Sequence, residues 1–210
     1  MTTTAIDSLA RMRVAESTAS SLRCHATRRT PGYLQSPELT TAIHAATHRK
    51  RRLTETAENL MARQEQRRAE MRAPQRMHTT VLLDEELLHR IRTGYGPNIA
   101  RAQLNYLHAG ISGMADWFGG DKTVIRILPR GYPSHLPVDE FTMVSFADTV
   151  RRDFVCVEAT VAIVGALDAQ YLTENWQLEQ TWETWVDLET QALDRDGTLR
   201  RLERLLGAHN

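Results

Sequence analysis

The stretch TPGYLQSPEL, residues 30–39, sets how the front half of the chain is divided. Pro31 and Gly32 form a turn dipeptide, and six residues later a second breaker carries helix-start chemistry. Ser36 can cap, Pro37 suits the first helical position, and Glu38 favours the positive end of a helix dipole. The stretch therefore predicts a helix from Pro37 to about Ala46, with Tyr33, Leu34 and Gln35 held as a short pinned loop ahead of it. Upstream, Leu9, Met12, Ala19 and Leu22 recur at three-to-four spacing and predict an amphipathic helix over 5–24, with Glu16 on its stripe. The segment between, CHATRRTPGYLQ, reads as irregular.

Downstream, Leu53, Ala57, Leu60 and Met71 define a helix that ends before Pro74, with Gln64 on its apolar stripe as a candidate buried amide. Thr79 to Leu83 reads as a buried strand, and Asp84-Glu85-Glu86 turns the chain into a short helix. Pro97 opens a helix carrying Leu104, Leu107, Ile111, Met114 and Phe118, flanked by Gln103; Gly110 and Gly113 weaken its second half. KTVIRIL, EFTMVSF and DFVCVEAT, separated by breaker-rich turns such as PRGYPSHLP, predict an antiparallel meander of three or four strands, with TVAIVGAL as an option for the fourth. After Thr173 a long helix places Leu178, Trp182, Trp185, Leu188 and Ala192 on one stripe, and a last short helix spans Thr198 to Leu206. The expected fold is one α+β domain over 1–210, with helices at both ends packed on a small, mainly antiparallel sheet.

Composition narrows the function classes. The 210 residues hold 26 Lys plus Arg and 26 Asp plus Glu, so no global charge points to nucleic acid. Locally, HRKRR at 48–52 is basic and residues 174–196 lean acidic. Cys24 and Cys156 lie far apart without CxxC spacing, which argues against a disulfide framework and for a reducing cytoplasm. The longest apolar stretch, TVAIVGAL, is far short of a membrane span. Phosphate-loop, dinucleotide, zincin and nucleophile-elbow signatures are missing. His44 and His48 stand four apart on a helix but have no third ligand nearby, so neither a metal nor a cofactor is expected. Residues 1–30 are too short for a helix-turn-helix, and direct DNA binding is not expected of this chain alone.

Several pieces in order carry a family resemblance: AESTASSLRCH, TPGYLQSPEL, ARQEQRR, VLLDEELL, RAQLNYL, TVIRILP with SHLPVDEF, and FVCVEAT. Together, over roughly 10–206, they resemble the uncharacterised C-terminal domain of actinobacterial Xre-type, WhiJ-like regulators, often described as antitoxin-like. The family signature reads PGLLQT where this chain has PGYLQS, with Tyr33 for a leucine and Ser36 for a threonine. The helix-turn-helix that normally precedes the domain is not found at the front of this chain. The resemblance implies that Glu16, Gln35, Arg63, Gln64, Glu85, Gln103, His135 and Glu158 occupy the family's polar positions.

Glu16 and Gln64 fall on stripes that should face the core, and a buried polar network is satisfied internally or by a ligand. One expectation is a cleft between the N-terminal helices and the sheet, with Tyr33 and Gln35 at its rim. The competing explanation is structural: Arg63 paired with Glu85 or Glu158, and the glutamines serving loop carbonyls. If the cleft is a site, the chain is a regulatory module binding a small molecule or small partner protein through Tyr33, Gln35, Arg63, Gln64, Gln103 and Glu16. The alternative is a metal-independent enzyme of specialised metabolism, with Glu85 or Glu158 as base, His135 as acid, Arg63 as an anchor for an anion, and Tyr33 and Cys24 as further candidates. A homodimer through a Trp182 and Trp185 face is the third option.

Overall fold

A computed structural model describes residues 19–51, 56–72, 78–118, 120–132, 140–145, 154–159, 168–172 and 175–207. Six strands form one sheet: β1 (Ser21–Ala26), β2 (His78–Asp84), β3 (Thr123–Leu128), β4 (Phe141–Ser145), β5 (Phe154–Ala159) and β6 (Asp168–Leu172), in the spatial order β3-β2-β1-β4-β5-β6. β1 pairs with β2, and β2 with β3, in parallel; β4, β5 and β6 add antiparallel neighbours on the other side of β1. Among the described residues six α-helices accompany them: α1 (Pro37–Arg51), α2 (Ala57–Arg72), α3 (Glu85–Tyr95), α4 (Pro97–Ser112), α5 (Asn175–Gln191) and α6 (Arg195–Gly207).

The sheet is thus mixed rather than mainly antiparallel, and the helices are not confined to the two ends of the chain. The reason is β1. A parallel pair needs a long crossover, which α1 and α2 supply between β1 and β2, and α3 and α4 between β2 and β3. The antiparallel meander exists, but it comprises β4, β5 and β6; KTVIRIL forms β3 at the far edge. TVAIVGAL lies outside the described residues.

The helix expected over 5–24 is overturned from Ser21 on, where the chain is a central strand with Leu22, Cys24 and Ala26 buried on one face. α1 runs past Ala46 to Arg51, and α2 is described from Ala57. α4 ends at Ser112 because Gly113 turns left-handed (φ 82°), a conformation glycine adopts without a Cβ clash. Met114 is therefore off the stripe and 79% exposed.

Alternation along the strands splits the core in two. Val81, Leu83, Ile125 and Ile127 point to one face, where Leu39 of α1, Leu87 and Ile91 of α3, Leu104 and Leu107 of α4, and Leu202 and Leu205 of α6 cover them. Leu82, Leu128, Phe141 and Met143 point to the other face and meet Trp185, Leu188 and Ala192 of α5. The unbroken run Val81-Leu82-Leu83 follows from this, since a strand buried on both faces cannot alternate. The outer edge of β3 is closed where the Leu193 N–H donates to the Ile127 carbonyl at 2.9 Å and the Ile127 N–H donates to Thr198 Oγ1 at 3.2 Å.

Candidate functional site

The register gathers charged residues along one rim. Ala26 stands opposite Leu83, Asp84 opposite Leu128, His25 opposite Phe141, and Phe141 opposite Val157. The carboxyl ends of the three parallel strands are therefore level with the start of β4 and the end of β5. Asp84, Glu85, Glu140 and the backbone of Glu158 all lie along this edge.

Glu85 is the node. It is the first residue of α3 and only 4% exposed. Its Oε2 accepts the Arg130 backbone N–H at 2.9 Å and lies 3.3 Å from the Arg201 guanidinium, while Oε1 is 3.6 Å from His89 Nε2. One carboxylate thus ties the start of α3, the turn after β3 and the middle of α6. Glu86, beside it, pairs at 2.9 Å with Arg130, whose side chain is largely exposed. Arg90, one helical turn on, donates to the Thr27 carbonyl at the end of β1.

Asp84 caps α3, its Oδ1 accepting the Glu86 N–H at 2.8 Å. Burial pushes its carboxyl above the ordinary aspartate range, against the opposing effects of that N–H and of Arg90. Burial likewise raises the Tyr132 phenol, and the neighbouring Asp84 charge adds to the rise. Glu140, 5% exposed, accepts the Arg29 backbone N–H at 3.4 Å. The acids of this rim are buried or half-buried, whereas Arg28, Arg29, Arg90 and Arg130 are exposed. Among the described residues, arginines are thus the more exposed charges of this rim, over acids that are buried or half-buried.

The glutamines form a second group. Gln103 Nε2 donates to the Leu34 carbonyl at 2.8 Å, and its Oε1 accepts the Ser36 N–H at 2.7 Å. Gln35 donates to the Thr30 carbonyl at 2.7 Å, Gln64 donates to Gln35 at 3.3 Å, and the Thr40 hydroxyl sits 2.9 Å from Gln64 Oε1. The buried amides thus bind the loop before α1 to α4 and α2. Tyr33 is buried in that loop, with the Arg67 guanidinium 5.4 Å from its ring centre. Among the described residues of α2, Gln64 and Arg68 are the buried ones.

The sequence candidates are thus distributed in two clusters rather than shown around one cleft. Glu85 belongs to the rim, and Tyr33, Gln35, Gln64 and Gln103 to the loop network. Arg63 is on the exposed side of α2, and the place it was expected to take beside Glu85 is held by Arg201. Glu16 and His135 lie outside the described residues, as does the side chain of Glu158. His44 and His48 lie with ring centres 5.9 Å apart, and among the described residues no three His, Cys, Asp or Glu side chains converge as a metal site would need. Trp185 is fully buried, so of the expected Trp182 and Trp185 face only Trp182 is exposed. Sequence reasoning missed Asp84 as a half-buried acid, and Glu140, Arg130 and Arg201; the Glu85 to His89 spacing of four was the readable signal.

Among the described residues no helix is long and apolar enough to cross a membrane. Residues 9–204 match the model of a family described as a domain of unknown function (DUF5753). No curated protein and no solved structure matches the chain.

Proposed function

The chain belongs to the DUF5753 family, and from that premise we propose that it is a regulatory domain that binds a small molecule or a small partner protein at the rim around Glu85. One observation carries the reading: a carboxylate only 4% exposed, tied to Arg130, Arg201 and His89, stands where three parallel strands end. Burying such a charge costs several kcal/mol, about the size of a sizeable fraction of a domain's stability, unless it is fully paired. Open sheets with parallel strands take their ligands beyond the carboxyl ends of those strands; this is an analogy of fold, to which the exposed arginines over buried acids add a chemical basis. The likeness of TPGYLQSPEL and VLLDEELL to the C-terminal domain of Xre-type regulators supports placing the binding in regulation. DNA contact is not part of the activity assigned.

Native mass spectrometry of the protein purified from its own host tests this. The expected result is a defined extra mass or a stoichiometric small protein that is lost on denaturation and absent from a folded Glu85→Gln variant. A bare chain with no partner in pull-downs, or a bound mass indifferent to Glu85→Gln, overturns the reading. A second reading, acid–base catalysis, draws on Asp84, a half-buried carboxyl that burial pushes above the ordinary aspartate range. Conversion of the captured molecule by the wild type, lost in Asp84→Asn with binding kept, would select it.

A further inference from the structure

α5 covers the second face of the sheet with one side and turns the other to solvent. We propose that this outer side is a docking surface for an arginine-rich segment of a partner protein. Three of the large apolar residues exposed on the described surface lie on this helix: Trp176 (64%), Trp182 (40%) and Val186 (43%). Trp182 and Val186 are four residues apart and form a strip along the helix. Beside it, Glu179, Glu183 and Asp187, also four apart and exposed, form an acidic strip. Asn175–Gln191 contains no Lys or Arg at all.

An apolar strip alongside an acidic one selects a partner that is cationic and partly apolar. Arginine fits better than lysine, because a planar guanidinium can stack on indole and pair with a carboxylate in a bidentate way. The fold already shows this affinity: the Arg23 guanidinium sits 4.7 Å from the centre of the Trp182 ring. A second copy of the chain is the poorer occupant. The described part of its basic run, 48–51, is the end of α1, which packs on the opposite face of the sheet from α5. Two copies therefore could not exchange these contacts in a closed pair; the contact would run head to tail, as a larger ring or an open series.

The test is fluorescence anisotropy with the full chain and a labelled helical peptide that carries arginines four apart beside a leucine strip. Saturable binding is expected, weakened severalfold when the arginines become lysines and abolished when they become glutamates. On the protein side, Trp182→Ala, and separately Glu183→Lys with Asp187→Lys, should each weaken binding by roughly tenfold while the thermal midpoint holds, since all three positions are exposed. No saturable binding, binding that survives the charge reversal, or sedimentation showing that the chain self-assembles through this face would each overturn the proposal.

Discussion

Gly110 has no side chain because Phe118 occupies the space one would need: a Cβ there would lie 2.1 Å from the phenyl ring. The glycine that weakens the helical pattern of α4 thus lets the aromatic residue beyond the helix fold back against it, where Tyr106 and Trp117 stack at 4.1 Å. Gly110→Ala should therefore destabilise the fold by about 1–3 kcal/mol, although alanine is the better helix former; an unchanged urea midpoint would refute the packing argument. Asp84 offers a second test. Asp84→Ala removes the cap and should cost about 1 kcal/mol, whereas Asp84→Asn keeps the acceptor and should cost little. The pH dependence has a definite sign. Burial raises this carboxyl in the folded state, so its contribution to stability is fully present below the ordinary aspartate value and is lost as pH rises through the raised one. Asp84→Asn should therefore gain relative to wild type as pH increases across that window, as read from urea midpoints at several pH values; a parallel shift at every pH would show that the charge is not the cause.

At the scale of elements, β1 and α2 show what the sequence carries and what it does not. Thr79 to Leu83, KTVIRIL and the helix starts at Pro37 and Pro97 were legible because period, breaker and cap agree locally. β1 was not: SLRCHA has three polar residues in six, and Leu22 continues the three-to-four spacing of Leu9, Met12 and Ala19, so the same letters fit a helix. Only its partners, far along the chain, make it a strand, and with it the parallel half of the sheet became invisible. The site divides in the same way. Gln64 was legible as a buried amide because it interrupts an apolar stripe, but that Arg201 rather than Arg63 would meet Glu85 depends on where α6 lands. α2 is held in the described structure by polar groups more than by apolar ones, through Gln64 and Gln35 at 3.3 Å. Gln103→Leu should cost about 2 kcal/mol or more, because the Ser36 N–H and Leu34 carbonyl would lose their partner while remaining buried. Proteolysis near the loop before α1 should rise with it; stability equal to wild type would mean that the amide is there for a ligand and not for the loop.

For the whole molecule, one sheet separates two apolar cores, β2 contributes to both through Val81 and Leu82, and the central strand β1 joins the parallel half to the antiparallel one. β1 pairs Ser21 with His78 on one side and with Ser145 on the other, so neither half of the sheet is complete without contacts between distant parts of the chain. Such non-local pairing predicts slow folding, because loop closure is paid before the contacts form. It also predicts that the two cores melt together. Leu104 lies in the core of α1, α3, α4 and α6, and Trp185 in that of α5. Leu104→Ala should lower stability by about 2–5 kcal/mol. Because β2 carries Val81 and Leu82 to opposite faces, the loss should reach the far side of the sheet undiminished. Tryptophan fluorescence in a Trp117→Phe, Trp176→Phe, Trp182→Phe background, which reports on Trp185 alone, and far-ultraviolet circular dichroism should then shift to the same new midpoint. If the burial of Trp185 instead persisted beyond the loss of helix signal, α5 and the antiparallel strands would form a unit that folds without the parallel half, and the rim around Glu85 would lie across a mechanical joint between two units.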